Sequence, residues 1–342
     1  MKKLIDLRSD TVTKPSPEMR KTMYEAEVGD DVFKEDPTVN NLEEYIAELL
    51  GKEAALYVPS GMMGNQLCLN VLTDPGDEVI CDREAHIFNY ESSSPARLSG
   101  IQLYPLDGKL GVLRAEIVEP YIRTTAYHMP RTKVIEVENT HNRAGGTIQP
   151  IENIIELEKI ARKHNLYYHL DGARMWNACV ETGITPKEYA THFDTVSCCF
   201  SKGLGAPVGS AISGSKEFIK EAYRVRKAWG GGMRQVGILA AAALYAVKNN
   251  VDRLKEDHRR AKRLADRINS NPNLEINMEA VQTNILLFTP IKMVPDEGLK
   301  LCKEKGLLLT PGTVNSLRAV THLDVNDEDI ENAANILDEV FN

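Results

Sequence analysis

Val196-Ser197-Cys198-Cys199-Phe200-Ser201-Lys202-Gly203-Leu204-Gly205 is a short apolar run that leads into a lysine and a glycine-rich turn. Upstream, Tyr167-Tyr168-His169-Leu170-Asp171-Gly172-Ala173-Arg174 has the same form and ends in an acid. Both runs are typical of buried strands, and parallel α/β sheets place their ligand sites at the carboxyl ends of such strands. The two segments therefore predict that Asp171 and Lys202 lie at the same edge of a parallel sheet.

Together, Asp171 and Lys202 suit the chemistry of pyridoxal phosphate. That cofactor needs an amine to form a Schiff base with its aldehyde, and a carboxylate to keep its pyridine nitrogen protonated. Lys202 is the candidate amine and Asp171 the candidate carboxylate. Taken alone, Ser-Lys-Gly is more often a solvated loop and Asp-Gly a turn, so the order of the two strand ends carries the inference.

A third segment, Ser60-Gly61-Met62-Met63-Gly64-Asn65, follows the apolar run at residues 56–58 and precedes a helix predicted to begin near Gly64. The N-terminus of a helix offers unpaired N–H groups and the positive end of the helix dipole to an anion. Ser-Gly turns before helices are common, so this motif is weak by itself. Its place upstream of Asp171 and Lys202 makes it the candidate cradle for the cofactor phosphate.

The composition is that of an ordinary globular protein. The 342 residues are 42% hydrophobic and 26% charged, with a formal net charge of −8. The acidic balance argues against a nucleic-acid partner, and the longest apolar stretch, at residues 238–247, is too short to span a membrane. Six cysteines without an export signal predict free thiols and a cytoplasmic location, and their spacing indicates no metal site.

Short apolar runs alternate with helical stretches through the first 250 residues. Such runs lie at residues 56–58, 78–81, 101–104, 134–137, 167–170 and 196–200. This alternation predicts a mostly parallel sheet covered on both faces. We place an N-terminal arm at 1–14, a large cofactor-binding domain at 15–250 and a smaller α+β domain at 251–342. In the last helix, an apolar face is predicted for Ile330, Ala333, Ala334, Leu337 and Phe341.

Several motifs, in order, resemble those of the low-specificity L-threonine aldolases, L-allo-threonine aldolases among them, which have the type I (aspartate aminotransferase) fold of pyridoxal phosphate enzymes. They extend from residue 6 to about 324. The segments are Asp6-Leu7-Arg8-Ser9-Asp10-Thr11-Val12-Thr13, Gly29-Asp30-Asp31-Val32, Glu35-Asp36-Pro37-Thr38, Glu138-Asn139-Thr140-His141-Asn142, Asp171-Gly172-Ala173-Arg174, Ser201-Lys202-Gly203-Leu204, Gly230-Gly231-Gly232-Met233-Arg234-Gln235 and Ala319-Val320-Thr321-His322. The resemblance implies a seven-stranded sheet in the large domain and a homotetramer with active sites shared between subunits.

The resemblance also implies roles for individual residues. His86 would stack on the pyridine ring, and His128 would lie near the substrate hydroxyl. Arg318 and Arg174 would hold the α-carboxylate of the substrate, with Ser9 as a hydroxyl donor. The resemblance implies further contacts with the cofactor. On the same chain they would come from Ser60, Gly61, Met62 and Arg174. From a neighbouring subunit, Lys227 and Arg234 would reach the phosphate.

The implied reaction is the cleavage of L-threonine or L-allo-threonine to glycine and acetaldehyde, as in threonine breakdown and glycine formation. Lys202 and Asp171 serve the cofactor, and a base removes the proton of the β-hydroxyl. His86, His128 and a water or phosphate relay all stay open as that base. The preference between the two diastereomers also stays open.

Three departures from the family pattern stand out. Met62 replaces a threonine that would contact the phosphate, a loss of about 1.5–3 kcal/mol if nothing replaces it. Phe33-Lys34 replaces Tyr-Gly near the substrate region. The segment at residues 92–97 replaces a Gly-rich stretch beside His86.

Two rival functions differ in chemistry. Another pyridoxal phosphate reaction on the same scaffold, either β-elimination or racemisation, would give ammonia and a keto acid, or a D-amino acid. A binding or regulatory protein would keep the fold without turnover. The presence of Lys202, Asp171, Arg174 and Arg318 argues against the second rival.

Overall fold

The computed structural model describes residues 4–124 and 126–342, so the first three residues of the predicted N-terminal arm lie outside it. The strands are β1 (Ile5–Asp6), β2 (Ala54–Val58), β3 (Asp77–Asp82), β4 (Gln102–Leu106), β5 (Arg131–Glu138), β6 (Tyr167–Gly172), β7 (Thr195–Cys199), β8 (Ser210–Gly214), β9 (Leu274–Ile276), β10 (Ile285–Pro290), β11 (Leu307–Leu308), β12 (Thr310–Pro311) and β13 (Leu317–Val320). The α-helices are α1 (Pro17–Tyr24), α2 (Pro37–Leu50), α3 (Gly61–Leu72), α4 (His86–Asn89), α5 (Ala115–Val118), α6 (Ile151–Lys163), α7 (Met175–Thr182), α8 (Pro186–Ala190), α9 (Lys216–Ala228), α10 (Gly237–Asn249), α11 (Leu254–Ser270), α12 (Pro295–Lys305) and α13 (Asp327–Phe341).

Among the described residues, seven strands form a central sheet in the order β2-β8-β7-β6-β5-β3-β4. The strands from β7 across to β4 pair in parallel, whereas β8 runs antiparallel to both β2 and β7. The expected mostly parallel, seven-stranded sheet is therefore confirmed.

Both faces of this sheet are buried, which explains why its strands read as continuous apolar runs. Ile135 and Val137 on β5 pack into a core shared with α2, α6 and α10. Val134, the neighbour of Ile135, joins the opposite core with residues of α3 and α9. Because successive side chains of β5 point to opposite faces of the sheet, neighbouring residues of this strand pack against different helices.

A smaller unit follows α10. Strands β12-β13-β10-β9 form an antiparallel four-stranded sheet that packs with α11, α12 and α13 around a separate core. The apolar face predicted for the last helix is buried throughout: Ile330, Ala333, Ala334, Leu337 and Phe341. The domain limits at 14 and 250 stay a prediction, with α10 ending at Asn249 and α11 beginning at Leu254.

The N-terminal arm ties the smaller unit to the lysine loop. Its strand β1 pairs in parallel with β11, and the Val320 amide donates to the Leu7 carbonyl at 2.8 Å. A few residues later, the Thr13 hydroxyl donates to the Lys202 carbonyl at 3.1 Å. Residues of the arm therefore lie between the two units beside the candidate site.

The Ala-rich run at residues 238–247 forms most of α10. Its residues Ala240, Ala242, Ala243 and Ala246 are fully buried in the core on the α2 side of the central sheet. None of the described helices is long and apolar enough to cross a bilayer.

Candidate active site

The candidate functional groups gather where parallel strands end. Glu138 closes β5 and pairs in register with Asp171 near the end of β6, and Asp171 in turn pairs with Ser197 of β7. Lys202 lies in the loop immediately after β7. The carboxyl edge of the sheet thus brings together the segments that the sequence predicted to meet.

A cavity of about 320 Å³ opens above this edge, between the large and small units. It is lined by residues of the arm, the large unit and the small unit: Ser9, Thr11, His86, Tyr90, Asn142, Arg143, Arg174, Lys202, Leu287, Pro311, Gly312, Thr313 and Arg318. Four of these side chains are cationic, so the cavity suits anionic groups such as a carboxylate or a phosphate.

Lys202 is half-buried in a tight turn that fixes its backbone. The carbonyl of Lys202 accepts hydrogen bonds from the Gly205 amide at 2.8 Å and from the Thr13 hydroxyl. Gly205 has φ +81°, a left-handed conformation that a side chain disfavours, and a Cβ there would also contact Leu323 at 2.6 Å. Gly205, three residues after Lys202, therefore serves the turn that presents the amine.

Arg174 is buried and paired with a carboxylate of the arm. Its Nε donates to Asp10 Oδ2 at 2.8 Å and its Nη2 to Asp10 Oδ1 at 2.7 Å. Asn284, which immediately precedes β10, donates from Nδ2 to Asp10 Oδ2 at 3.3 Å. This bidentate pair occupies two of the donor nitrogens that were predicted for the substrate, and leaves Nη1, which lies 3.4 Å from Asn142 Oδ1.

Arg318 differs from Arg174 because it makes no ion pair among the described residues. Its Nη1 donates to the Arg8 carbonyl at 3.0 Å and its Nη2 to Asn142 Oδ1 at 2.8 Å. Its Nε is buried and has no hydrogen-bond partner in the described part of the chain. A buried donor without an acceptor costs free energy, so a carboxylate that reaches this guanidinium would relieve that cost.

The electrostatics of these groups follow their pairing. Burial would raise the pKa of Asp10, but the charges of Arg174, Lys202 and Arg318 outweigh burial and hold that pKa well below its usual range. Burial, together with the neighbouring charge of Arg174, lowers the pKa of Arg318 to about 10. An anion beside Arg318 would favour the charged guanidinium, and so counteract the lowering of the Arg318 pKa by burial and by the charge of Arg174.

His86 begins the short helix α4 and lines the cavity. Its Nδ1 lies 2.9 Å from Glu91 Oε1, and its backbone amide donates to Glu138 Oε2 at 2.9 Å. Burial would lower the pKa of His86, but the hydrogen bond to Glu91 and the charges of Asp171, Glu138 and Glu91 together raise it. The imidazole is therefore biased toward its protonated form.

Asp171 is buried beneath the cavity rather than on its lining. Its Oδ1 accepts the Ala173 amide at 3.0 Å and its Oδ2 accepts Asn65 Nδ2 at 2.7 Å. The ligand atoms of His86, Glu91 and Asp171 lie within 4.8 Å of one another, a spacing that would also suit a cation. The side-chain amide of Asn65 donates hydrogen bonds to the carboxylates of Glu91 and Asp171. The positive end of the amide dipole thus lies between the two carboxylates, where a cation would otherwise be favourable.

Ser60 caps α3, so this helix begins at Gly61 rather than at the predicted Gly64. Its hydroxyl accepts the Met63 amide at 3.2 Å. Gly61 lies close to Cys199, where a Cβ would come within 2.6 Å of the sulfur. Met62 is partly exposed and lines a second cavity of about 300 Å³ with Ser60, Trp229 and neighbouring residues. The helix N-terminus predicted for the phosphate is thus present.

Three further residues predicted for the site are exposed and lie away from the lining of the first cavity within the single chain. His128 is exposed in the loop before β5, with its ring 5.3 Å from that of Tyr127. Lys227 is exposed at the end of α9. Arg234 is also exposed and donates to Asp30 at 2.8 Å. Their roles stay predictions, and those of Lys227 and Arg234 concern a neighbouring subunit.

The departure at Phe33-Lys34 has a structural correlate. Lys34 ends a short 3₁₀ helix with φ +58°, a left-handed conformation that costs a residue with a side chain about 1–2 kcal/mol. A glycine, as in the related family pattern, would adopt it without that cost. Phe33 beside it is largely exposed, with 69% of its surface accessible.

Sequence reasoning assigned no role to several residues of the site. Asp10, Asn65 and Glu91 are buried, and each bonds one of the predicted groups. A buried position for Glu91 could have been suspected from its place just after the apolar residues of the His86 segment. Asn65 lies inside a largely apolar helix. A polar residue at such a position could have indicated a buried hydrogen-bonding role.

The residues present fit pyridoxal phosphate. Lys202 offers an amine in the cavity, Asp171 a buried carboxylate fixed by two donors, and α3 a capped N-terminus for the phosphate.

Comparisons with known proteins agree with this geometry. Residues 6–290 match the beta-eliminating lyase family. The chain is 42% identical to a probable low-specificity L-threonine aldolase 2 from Arabidopsis thaliana, with 98% of this chain and 97% of the relative covered. It is also 42% identical to the low specificity L-threonine aldolase of Escherichia coli strain K12, with 97% of each covered.

The threonine aldolase of Leishmania major superposes with a TM-score of 0.84 over 98% of this chain and 99% of that one, at 18% identity, which shows a common fold. The expected type I fold of pyridoxal phosphate enzymes is therefore confirmed. The family is one of pyridoxal-phosphate-dependent enzymes. On these grounds the chain belongs to the low-specificity L-threonine aldolases, within the beta-eliminating lyase family.

Proposed function

We propose that this protein is an aldehyde-lyase that uses pyridoxal phosphate to cleave L-threonine and L-allo-threonine into glycine and acetaldehyde. One observation carries the proposal. Arg318 directs a guanidinium without an ion-pair partner among the described residues into the cavity that also holds Lys202 and His86. This arrangement suits a small amino acid, with its carboxylate at one end and its reacting carbon near the lysine.

Arg318 would hold the α-carboxylate of the substrate. Its free Nε and the adjacent Nη groups can present two parallel N–H donors to a carboxylate. Ser9 lines the same cavity and adds a hydroxyl donor. Arg174 would act mainly by supporting this end of the site, because Asp10 already accepts two of its hydrogen bonds.

Pyridoxal phosphate, when bound, supplies an aldehyde for covalent attachment and a ring that accepts the electron pair of the broken Cα–Cβ bond. Lys202 would provide the amine for that attachment. Asp171 would hold a proton on the pyridine nitrogen, and the Asn65 and Ala173 donors keep its carboxylate in place. The N-terminus of α3 at Ser60 to Met62 would bind the phosphate.

His86 would lie over the ring and hold a proton near the reacting atoms. It is the imidazole among the cavity-lining residues, and its surroundings favour protonation. His128 lies outside the cavity of the single chain, so a role near the β-hydroxyl requires its loop to approach the cavity. By position we therefore place His86 first and His128 second as the group that receives the β-hydroxyl proton, and His86 can receive it only in its neutral form.

We also propose that the protein is a homotetramer whose active sites are shared between subunits. Lys227 and Arg234 are exposed and do not pack in the core. This is expected of residues that reach the active site of a neighbouring subunit. Partly exposed Met62, Leu98 and Trp229 line the second cavity beside α3, an apolar surface that a partner subunit could cover. A monomeric mass in sedimentation would contradict this part of the proposal.

The decisive experiment measures acetaldehyde released from L-threonine and from L-allo-threonine with added pyridoxal phosphate. Lys202→Ala should abolish release, because Lys202 is the one lysine among the described residues that line the cavity. Lys255→Ala, which removes an exposed lysine of α11, should release acetaldehyde like the wild type.

The products separate the rivals. Ammonia with a keto acid would assign β-elimination instead, and a D-amino acid would assign racemisation. Binding of the cofactor without any of these products would leave a binding protein. Any of these results in place of acetaldehyde would overturn the proposal.

A further inference from the structure

Glu91 occupies the centre of a buried hydrogen-bond network beside the cavity. It is completely buried, and its two oxygens face three nitrogen atoms. Oε1 accepts Asn65 Nδ2 at 3.0 Å and lies 2.9 Å from His86 Nδ1, while Oε2 accepts Gln66 Nε2 at 2.5 Å. A buried carboxylate with this many donors is held firmly in one orientation.

Asn65 extends the network from Glu91 to Asp171. The same Nδ2 donates to Asp171 Oδ2 at 2.7 Å, and Oδ1 accepts the Ser197 hydroxyl at 2.8 Å. His86 and Asp171 are therefore connected through two intervening side chains, Glu91 and Asn65. These two ends are the groups proposed to contact the face and the nitrogen of the pyridine ring.

The network determines which nitrogen of His86 carries a proton. A carboxylate only accepts hydrogen bonds, so the contact with Glu91 requires a hydrogen on Nδ1. Nε2 is then the nitrogen that gains or loses a proton. The charged groups that act on the imidazole are Asp171, Glu138 and Glu91, and together they favour the imidazolium over the effect of burial.

We propose that Glu91 is a positioning residue of the cofactor site, which fixes the plane and the tautomer of the His86 ring and, through Asn65, couples this ring to Asp171. The proposal rests on the proposed function, since it assumes that His86 lies over pyridoxal phosphate. It goes further by naming a group, distant from the substrate, on which the protonation of His86 depends.

The test compares Glu91→Gln with the wild type in the holoenzyme. The side chain keeps its size and loses its charge. The pKa of His86 is measured by NMR with ring-labelled histidine, with His86→Asn to identify the signal, and the dissociation constant of pyridoxal phosphate is measured by equilibrium dialysis. The matched control is Glu78→Gln, which removes another fully buried carboxylate, on β3 of the central sheet, that bonds Arg123 and Thr132 away from the cavity.

We expect the pKa of His86 to fall by about one unit or more in Glu91→Gln, since an opposite charge at this distance favours the charged form. The dissociation constant of pyridoxal phosphate should rise about tenfold, the order lost when an orienting partner is removed. Glu78→Gln should change neither quantity. If Glu91→Gln kept both wild-type values, the proposal would be wrong.

A second variant keeps the test decisive if Glu91→Gln folds poorly. Asn65→Asp preserves the shape of the bridge but replaces the donor with an acceptor, so it should disconnect Glu91 from Asp171 and weaken cofactor binding. Normal cofactor binding by Asn65→Asp would contradict the coupling. Absence of acetaldehyde release by the wild type would overturn the proposed function alone, because neither the His86 titration nor the cofactor affinity depends on turnover.

Discussion

The two ends of the candidate site are built in different ways. The carboxylate end, which consists of Asp10, Asn142, Arg174 and Arg318, joins the arm, the large unit and the small unit. The cofactor end, which consists of Asn65, His86, Glu91 and Asp171, lies within the large unit alone. The first end therefore depends on how the units dock, and the second on the packing of one sheet against α3.

The charges at the two ends differ as well. The carboxylate end has two arginines and one aspartate, so one positive charge is left for a ligand. The cofactor end has two buried carboxylates and one imidazole whose pKa is raised, so about one negative charge is left there before any ligand binds. This difference supports the proposed roles of the first end in substrate recognition and of the second end in holding the protonated ring.

The largest expected effect comes from Asp10→Asn at the carboxylate end. This change leaves Arg174 buried without a counter-charge, and breaking one side of a buried ion pair costs about 3–5 kcal/mol. Urea unfolding at neutral pH measures the loss. Asp6→Asn removes the carboxylate of an exposed pair with Arg8 in the same arm and should cost less than about 1 kcal/mol.

The difference in stability between the wild type and Asp10→Asn should depend on pH in a definite direction. Because Arg174 holds the pKa of folded Asp10 below its unfolded value, the pair stabilises the protein above the usual carboxylate range, and this stabilisation is lost as the pH falls through the folded value. The wild type and Asp10→Asn should therefore converge only in strong acid. Equal stability at neutral pH would show that docking of the arm does not need this pair.

Arg318→Ala is expected to have the next largest effect, and on catalysis rather than stability. Loss of two charge-assisted hydrogen bonds to the substrate carboxylate, each about 1.5–3 kcal/mol, should lower kcat/KM for L-threonine by about 100-fold or more. The dissociation constant of pyridoxal phosphate should stay unchanged. Steady-state kinetics and equilibrium dialysis measure the two quantities.

Arg143→Ala provides the comparison within the same cavity. Arg143 already bonds Glu84 and donates to the Tyr90 hydroxyl at 2.5 Å, so its charge is matched by the protein. We expect kcat/KM to fall less than about tenfold. If Arg143→Ala matched Arg318→Ala, free positive charge would not be the property that selects the carboxylate site.

The sequence predicted the parts of the site that follow strand ends. Asp171 and Lys202 could be placed because apolar runs end immediately before them, and the carboxyl ends of parallel strands share an edge. Helix α3 was predicted three residues short, because the Ser60 cap extends it to Gly61. Boundaries of this kind depend on a single hydrogen bond that composition does not reveal.

The supporting residues could not be predicted in the same way. Asp10 lies 164 positions from Arg174, and Glu91 lies 26 positions from Asn65. Neither pair shares a helix face or a strand register, so no local period connects its members. Their partners become evident only when the units are packed. For this reason the sequence predicted candidate reacting groups but not the residues that orient them.

The last expected effect, whose size depends on pH, concerns a carboxylate below the cofactor end. Glu136 of β5 is fully buried, and neither of its oxygens has a hydrogen-bond partner among the described residues. Burial, with the charges of Asp171, Glu138 and Glu91, raises the pKa of Glu136 well above its usual range. These effects favour the neutral form of Glu136, which would spare the cofactor end a further negative charge.

Glu136→Gln should make the protein more stable than the wild type as the pH rises. The unfolded chain releases the Glu136 proton at its ordinary pKa, whereas the folded chain retains it. The stability of the wild type therefore falls by about 1.4 kcal/mol for each pH unit above that ordinary pKa, until the pH reaches the pKa of the folded state. Glutamine is neutral throughout and removes this decline. Urea unfolding from pH 4 to 8 measures the change, with the exposed Glu275→Gln as the control. Parallel stability curves for Glu136→Gln and the wild type would mean that Glu136 ionises in the folded protein, and that the cofactor end tolerates more negative charge than its hydrogen bonds indicate.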